Sequence, residues 1–406
     1  MGDREISVLL YADDIVIVSD SEDKLQRAIT ALSHWCQRWR MVVNETKTQI
    51  VHFRGQNCDR TNFIFLYNGK SLDIVPKYKY LGVVLDEFLN FEVTADTLCD
   101  AAGRALGAVI SRIHKYRDFR FNTFTTLFNS CVVPIVDYCS GILGYADNMK
   151  CDSLQNRAIR YFLGVHKFTP KLAINGDMGW ISSSVRRKLN ILRFWNRVIH
   201  MSDNRVTKVA FLWDYNLRVR NKNWSNDLLN MLRDIGLHNK FLGLEVVNLD
   251  DALCKLKDSF ERNWFMELSK KPKLRTYVSF KKKYETEKYL LQSLSRPKRS
   301  MLAQFRTGIL PLKVETGRFQ QLPVEDRTCD FCSGSQIEDE RHFLFDCSLY
   351  MSARKTLFDE VRTVYPDFDN LDSNDKMELL MVKTPAMLAN FIFDAYNKRK
   401  ETIYNV

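Results

Sequence analysis

Long apolar runs are missing from this 406-residue sequence. No segment approaches the roughly 18 consecutive apolar residues that a transmembrane helix needs. The charged N-terminus, "MGDREIS", has no signal-peptide core, and Ile6 stands where a myristoylation motif needs Ser or Thr. The sequence therefore predicts an intracellular protein, in the nucleus or the cytoplasm, with no membrane partner.

A disulfide framework is also missing, although the chain has ten cysteines. Most are scattered singly, as small buried residues are in a reducing compartment. Cys329, Cys332 and Cys347 instead lie close together near the C-terminus. The scattered cysteines thus exclude a small disulfide-stapled scaffold, and the three neighbours need a separate explanation.

Positive charge is in excess, with a formal net charge of +11. Much of it comes from Lys270–Arg299, which holds eleven basic and two acidic residues. Focused positive charge favours a polyanion such as RNA or DNA, whereas a solvated helical face is the alternative. Candidate nucleic-acid-binding residues are Lys270, Lys271, Lys273, Arg275, Lys281, Lys282, Lys283, Arg296, Lys298 and Arg299.

Aromatic residues interleave with these charges at Tyr277, Phe280, Tyr284 and Tyr289. Aromatic rings between cations can stack on bases. Their spacing of three to five residues is more typical of the buried face of a helix. We therefore expect the cations, rather than the rings, to contact nucleic acid.

The N-terminal stretch "LLYADDIVIV" places two carboxylates between two aliphatic strand-like runs. This pattern predicts a β-hairpin with Ala12, Asp13 and Asp14 at its turn. Aspartate is common in turns, so an ordinary turn is one interpretation. Paired carboxylates are also hard oxygen ligands for Mg²⁺ in two-metal phosphoryl transfer, so half of a metal site is the other.

Regular elements follow the hairpin. An apolar face with helical spacing runs from Leu25 to Trp39. A turn at Asn44–Lys47 follows, then a strand at Thr48–Phe53 and a further strand at Tyr78–Leu85 that Gly82 breaks. From Phe91 the pattern is mostly helical, and Asn221–Asp227 could be a linker. We predict an α+β fold with four sections, 1–90, 91–220, 227–310 and 311–406.

The N-terminal motifs resemble a reverse transcriptase palm. "YADD", then a helix, "NETKT" and "YLGVVLD", is the order of that palm, and the wider stretches "LLYADDIVIVSDSEDKLQRAITALSHWCQRW" and "VNETKTQIVHF" resemble non-LTR (LINE-type) retrotransposon polymerases. Downstream, "VVPIVDYCSGILGY" and "LQNRAIRYFLGVHKFTPKLAINGDMGW" resemble the helical region that follows the palm, and "RSMLAQFRTGILPLKVETGRF" resembles the C-terminal part of these elements. The resemblance implies a truncated palm, a helical thumb-like region and a zinc-knuckle segment.

The resemblance also implies roles for single residues. Asp13 would bind Mg²⁺ with Asp14 beside it, and Tyr11 would lie near the primer end or nucleotide. Lys47 would approach the nucleotide phosphates. The primer grip would comprise Tyr80, Leu81 and Gly82.

One expected part of that active site has no counterpart among the motifs of this sequence. The family's first palm aspartate lies on a strand well before YADD, together with the fingers. Only ten residues precede Tyr11 here, and Asp3 and Glu5 are too close to the hairpin to form that strand. We therefore expect an incomplete polymerase site that binds Mg²⁺ poorly.

The clustered cysteines join a histidine in the pattern Cys329-x2-Cys332, His342 and Cys347. Three thiolates and one imidazole are a tetrahedral ligand set for a structural Zn²⁺. Ser335 and Glu338 could cap a short helix that carries His342. Three buried cysteines beside a surface histidine are the alternative, but the segment also resembles the C-terminal zinc knuckle of non-LTR elements.

Three hypotheses follow for the function. The chain could be a reverse-transcriptase remnant that binds nucleic acid without catalysis. It could be an active polymerase if upstream sequence completes it. It could also be a helical protein-interaction module with a zinc clip; the oligomeric state is open.

Overall fold

The computed structural model describes residues 8–144, 149–219, 223–332 and 336–404. It confirms the α+β class, with short strands near the N-terminus and helices through the rest. Asp3, Glu5, Asn221 and Ser335 lie outside the described residues. Within them, no helix is both long and apolar enough to cross a bilayer.

The strands pair two by two within the described residues. β1 pairs with β2, β4 with β5 and β7 with β8, all antiparallel, whereas β3 and β6 are parallel. The strands are β1 Val8–Tyr11, β2 Asp14–Ile17, β3 Gln49–Ile50, β4 Leu66–Tyr67, β5 Lys70–Ser71, β6 Asp73–Ile74, β7 Lys77–Tyr80 and β8 Val83–Asp86.

The helices occupy most of the chain after β8. They are α1 Glu22–Trp39, α2 Glu92–Tyr116, α3 Phe121–Leu127, α4 Val133–Val136, α5 Ser140–Leu143, α6 Met149–Leu163, α7 Lys171–Met178, α8 Ser183–Ile199, α9 Val206–Leu217, α10 Trp224–Asp234, α11 His238–Leu242, α12 Leu249–Ser269, α13 Arg275–Phe280, α14 Lys288–Leu291, α15 Arg296–Arg306, α16 Lys313–Phe319, α17 Met351–Val364, α18 Ser373–Glu378 and α19 Pro385–Tyr404. Single π-helical turns lie at Phe128–Val132, His342–Asp346 and Leu379–Lys383, and 3₁₀ turns at Pro272–Leu274, Ser348–Tyr350 and Pro366–Asn370.

Two compact units make up the chain. The first comprises Met1–Asp100, Cys139–Ala146 and Ile191–Val247, and the second comprises Ala101–Tyr138, Asp147–Asn190 and Asn248–Val406. The four predicted sections stay a prediction from the sequence.

Helix α1 organises the N-terminal part of the first unit. Ser21 caps it by accepting a hydrogen bond from the backbone N–H of Lys24 at 3.4 Å. Its apolar face buries Ile29 against Phe65, Tyr67 and Leu72. This small core supports the helix that packs beside β2, and so positions the carboxylate hairpin.

Two local predictions were wrong, and a third was right. The strand expected at Thr48–Phe53 shrinks to Gln49–Ile50, whereas the strand expected at Tyr78–Leu85 is broken at Gly82, as predicted, and forms the β7–β8 hairpin. The expected linker contains the start of α10, because the Asn223 side chain caps the backbone N–H of Asn226 at 2.9 Å. An Asn followed by amphipathic spacing from Trp224 is a helix start signal that outweighs local polarity.

The core of the second unit holds a buried ion pair. The Arg306 guanidinium donates two hydrogen bonds of 3.0 Å to the Asp177 carboxylate, and both side chains are fully buried. Tyr277 and Tyr289 each donate a hydroxyl bond of 2.9 Å to the same carboxylate. These bonds join α7, α13, α14 and α15 in one polar network, which a buried charge requires.

Candidate functional site

The carboxylate hairpin forms as the sequence predicts, with one shift of register. Tyr11 pairs with Asp14, so the turn holds Ala12 and Asp13, and Asp14 begins β2. Ala12 has a φ of 51°, a left-handed conformation that non-glycine residues rarely adopt. The tight turn fixes the backbone at the point where the two carboxylates project.

Both aspartates face outward. Their carboxylates are exposed and make no hydrogen bond or ion pair with another described residue. No third histidine, cysteine, aspartate or glutamate of the described residues joins them in a group that could hold a metal. Two carboxylates on adjacent residues do not complete a Mg²⁺ site, because Mg²⁺ gives up its water reluctantly and needs octahedral oxygen ligands.

The Lys47 turn connects to the second hairpin. Lys47 is exposed, and the Tyr78 hydroxyl on β7 donates to its carbonyl oxygen at 3.2 Å. The β7–β8 turn holds Leu81 and Gly82, with φ angles of 46° and 84°. Thr94 Oγ1 accepts from the Val84 N–H at 3.0 Å and donates to the Val84 carbonyl, which anchors β8 to α2. The structure thus links Lys47 to the predicted primer-grip hairpin.

The cysteine–histidine set converges in space. One ligand atom from each of Cys329, Cys332, His342 and Cys347 lies within 4.8 Å of all the others. Backbone bonds of 2.9 Å from Cys329 N–H to the Gln336 carbonyl, and from Glu338 N–H to the Arg327 carbonyl, close a small hairpin around the first two cysteines. The π-helical turn at His342–Asp346 then brings in the histidine and ends at Cys347.

The geometry of this set fits tetrahedral Zn²⁺. Bonds of about 2.3 Å to sulfur and about 2.0 Å to nitrogen imply tetrahedral edges of about 3.8 Å for S···S and about 3.5 Å for S···N. Cys329 Sγ and Cys347 Sγ are 3.8 Å apart, and Cys332 Sγ lies 3.4 Å from His342 Nε2. His342 Nδ1 lies 2.9 Å from Gln336 Oε1, so donation to this amide oxygen would leave Nε2 free as a ligand atom.

A buried carboxylate behind the cluster was missed by sequence reasoning. Glu338 forms a double hydrogen bond with the guanidinium of Arg399 on α19, with one N···O distance of 2.9 Å. The same guanidinium lies 4.6 Å from the Phe331 ring centroid. The prediction that Glu338 caps the turn carrying His342 was therefore wrong. The Asp339 carboxylate accepts from the His342 N–H at 2.9 Å instead.

Burial affects the thiols of the cluster. It raises the pKa of Cys329 and of Cys347, since a thiolate in an apolar environment is costly. The Phe331 N–H, 3.4 Å from Cys329 Sγ, acts in the opposite direction on the pKa of that thiol. A thiolate at either position would therefore need a compensating cation beside it.

The basic stretch divides into exposed and buried cations. Lys281 is buried in an ion pair with Glu287, and Arg299 in a pair with Asp118 at 2.9 Å, so these two predicted nucleic-acid ligands are not on the surface. The exposed members are Lys270, Lys271, Arg275, Lys282 and Lys283, and the partly buried ones are Lys273, Arg296 and Lys298.

The interleaved aromatic residues are largely internal. Tyr277, Phe280 and Tyr289 are buried, and the Tyr284 hydroxyl donates to the Trp180 carbonyl at 2.9 Å. Their spacing therefore reflects packing, as predicted. Only the cations of this stretch are available to a polyanion.

Comparisons with known proteins agree with the palm motifs. Residues 2–85 match the family described as reverse transcriptase (RNA-dependent DNA polymerase). The chain is 26% identical over 166 residues to a probable RNA-directed DNA polymerase from transposon BS of Drosophila melanogaster, covering 39% of this chain and 18% of the relative.

Two further relatives are RNA-directed DNA polymerases from the mobile element jockey. The one from Drosophila funebris is 32% identical over 97 residues, covering 22% of this chain and 10% of the relative. The one from Drosophila melanogaster is 22% identical over 189 residues, covering 44% and 20%. The chain thus spans a fifth or less of each relative's length. Over the matched residues, the chain is thus similar to reverse transcriptases of jockey-type, LINE-like transposons.

Proposed function

We propose that this chain binds RNA or DNA through its basic C-terminal region, supported by a structural Zn²⁺, and does not polymerise by itself. The observation that carries the proposal is the isolation of Asp13 and Asp14 from any third ligand residue among those described. Two-metal phosphoryl transfer holds its ions about 3.5–4 Å apart with acids from more than one element. The hairpin supplies one such element.

The C-terminal region supports the binding half of the proposal. Lys270, Lys271, Lys282 and Lys283 are exposed within the basic stretch, where phosphate groups can reach them. The four-ligand cluster would hold Zn²⁺ through Cys329, Cys332, His342 and Cys347. All four positions would be filled by protein, so the ion would stabilise the fold without taking part in chemistry.

A primer-extension assay tests the catalytic half. The purified chain, with Mg²⁺, an RNA template, a DNA primer and all four nucleotides, is expected to give no extended product. Asp13→Asn serves as the control for a contaminating polymerase. Synthesis by the wild-type chain that Asp13→Asn abolishes would overturn the proposed inactivity.

Fluorescence anisotropy with labelled oligonucleotides tests the binding half. We expect binding at low salt and a steep, linear fall of log affinity with log salt concentration, because cations that bind phosphates release counterions. The variant Lys282→Glu/Lys283→Glu should bind more weakly than Lys355→Glu/Lys398→Glu, which makes the same charge change at exposed positions elsewhere. Undetectable binding at low salt would favour a helical protein-interaction module.

A completed polymerase is the second candidate function. All four residues of β1 are exposed, and Leu10 is 71% exposed, which is unusual for an aliphatic strand residue. A further palm strand with an aspartate could cover this strand and complete the metal site. The test is primer extension by a longer chain that includes such a strand, with Asp14→Asn as the control.

A further inference from the structure

A cleft lined by cations lies in the second unit, where α6 ends. It has a volume of about 440 Å³ and is lined by Arg157, Arg160, Tyr161, Gly164, Val165, Lys167 and Arg296. No aspartate or glutamate of the described residues contributes to this lining. Three of its four cations lie outside the basic stretch, so the cleft does not correspond to a run of charge in the sequence.

The floor of the cleft is built rigidly. Gly164 ends α6 with a φ of 66°, and a Cβ there would lie 2.8 Å from Ser300 Oγ on α15. Ser300 Oγ donates to the Gly164 carbonyl at 2.6 Å. The Arg296 guanidinium lies 4.6 Å from the Tyr161 ring centroid and donates to the Tyr161 carbonyl at 3.3 Å. These contacts fix α15 against the end of α6 and orient Arg296.

Several donors of the cleft have no acceptor among the residues that the structure describes. The Nε of Arg160 is buried and has no hydrogen-bond partner in the described chain. Arg157 and Lys167 are exposed and make no ion pair with a described residue. Arg296 is explained by the C-terminal end of α6, because cations stabilise that end of a helix. The charges of Arg157, Arg160 and Lys167 have no such partner among the described residues.

An exposed aromatic ring lies next to Lys167, one of the cations that line the cleft. Phe168 is 71% exposed, next in sequence to Lys167, whose ammonium lies 5.0 Å from the ring centroid. Cations that follow a phosphate backbone next to an exposed ring are the arrangement that binds single-stranded nucleic acid, because any base can stack on the ring.

We propose that this cleft binds the phosphodiester backbone of a single-stranded nucleic acid, with Arg157, Arg160, Lys167 and Arg296 on the phosphates and Phe168 on a base. The inference rests on the nucleic-acid binding proposed above and gives that binding a second location, away from the exposed lysines at 270–283. Guanidinium groups suit this ligand, since they donate paired hydrogen bonds to phosphate oxygens.

The charge test compares two double variants of the full chain by anisotropy with a labelled single-stranded oligonucleotide. Arg157→Glu/Lys167→Glu should weaken binding about tenfold or more and reduce the salt slope by about 0.7 for each phosphate that the protein no longer neutralises. Lys355→Glu/Lys398→Glu makes the same net charge change at exposed positions outside the cleft and should leave the slope near the wild-type value. Circular dichroism confirms that both variants fold.

The stacking test uses Phe168→Ala, with Phe319→Ala as the matched control because Phe319 is also exposed, at 78%. Phe168→Ala should weaken single-strand binding about fivefold or more and leave duplex binding unchanged, since duplex bases are already stacked. If the wild-type chain binds and both cleft variants bind as tightly as their controls, the proposed binding at the cleft is wrong, and the proposed function is unaffected. No wild-type binding at low salt would overturn both.

Discussion

Asp177 and Arg306 meet inside the second unit, where water does not screen them. Burial opposes ionisation of Asp177, but the charge and hydrogen bonds of Arg306 outweigh it, so the pKa of this carboxyl is lowered. Arg306 also contacts Glu287 at 2.8 Å, and Glu287 pairs with Lys281. The two acids and two bases balance in charge, which makes the network tolerable in a core.

Arg306→Met tests the importance of this balance. The change leaves Asp177 buried without its main partner, so we expect the free energy of unfolding to fall by about 3–5 kcal/mol in urea titrations. Lys255→Met, which removes an exposed pairing with Asp251, should cost about 1 kcal/mol or less. If the two changes lower the free energy of unfolding equally, the buried network does not stabilise the fold more than a surface ion pair does.

Glu87 gives the first unit a pH-dependent contact. Hydrogen bonds from Arg60 and Arg54 lower the pKa of Glu87 from 4.5 to about 2. A lowered folded-state pKa adds stability above pH 4.5, and this stability is lost as pH falls from 4.5 towards 2. Urea titrations across this range should show Glu87→Gln less stable than wild type at neutral pH, with the difference closing at low pH. Glu325→Gln, which makes the same charge change at an exposed position, serves as the control.

At the scale of elements, the cluster of Cys329, Cys332, His342 and Cys347 joins the small hairpin around the first two cysteines to the π-helical turn at His342–Asp346. Cys332→Ser should reduce bound zinc from about one ion per chain to near zero, because one thiolate of the tetrahedral set is removed. Elemental analysis after desalting measures this, with the exposed Cys58→Ser as the control. Zinc retained by Cys332→Ser at the level of the control would contradict the site.

The β7–β8 turn carries strain that a single substitution can relieve. Leu81 and Gly82 both have positive φ, and Asn-Gly is the preferred pair for such two-residue turns. Leu81→Asn should raise the free energy of unfolding by about 0.5–1 kcal/mol. Leu291→Asn, at an exposed leucine with negative φ, should give no gain. A loss of stability in Leu81→Asn would show that the leucine side chain outweighs the backbone strain.

For the whole molecule, the segment that carries the cysteine–histidine cluster is joined to the last helix, α19, by the ion pair between Glu338 and Arg399. Removal of zinc with a chelator should speed amide hydrogen exchange at residues 327–347 and around Arg399, because the Glu338 pair depends on the closed hairpin. The β1–β2 hairpin should exchange at an unchanged rate and serves as the internal reference. Uniform acceleration across both regions would contradict a local role for the ion.

Much of this architecture could be predicted from local sequence. The YADD hairpin, the α1 face and the Cys3His spacing all rest on residues within 18 positions of each other, where periodicity and ligand spacing are informative. The Asp177–Arg306 pair, the Glu338–Arg399 pair and the cation cleft join residues 61 or more positions apart. No hydrophobic periodicity or ligand spacing predicts contacts between residues so far apart in sequence, because these contacts depend on how the helices pack.

The outward position of Asp13 and Asp14 has an evolutionary consequence. Their side chains support no contact among the described residues, so their replacement would cost the fold little, whereas replacement of Asp177 would disrupt a core. In descendants of this sequence under no selection for DNA synthesis, the YADD acids should therefore drift while Asp177 and Arg306 persist. If both acids persist across such a lineage, selection for their chemistry must have kept them, because folding stability does not constrain these two positions.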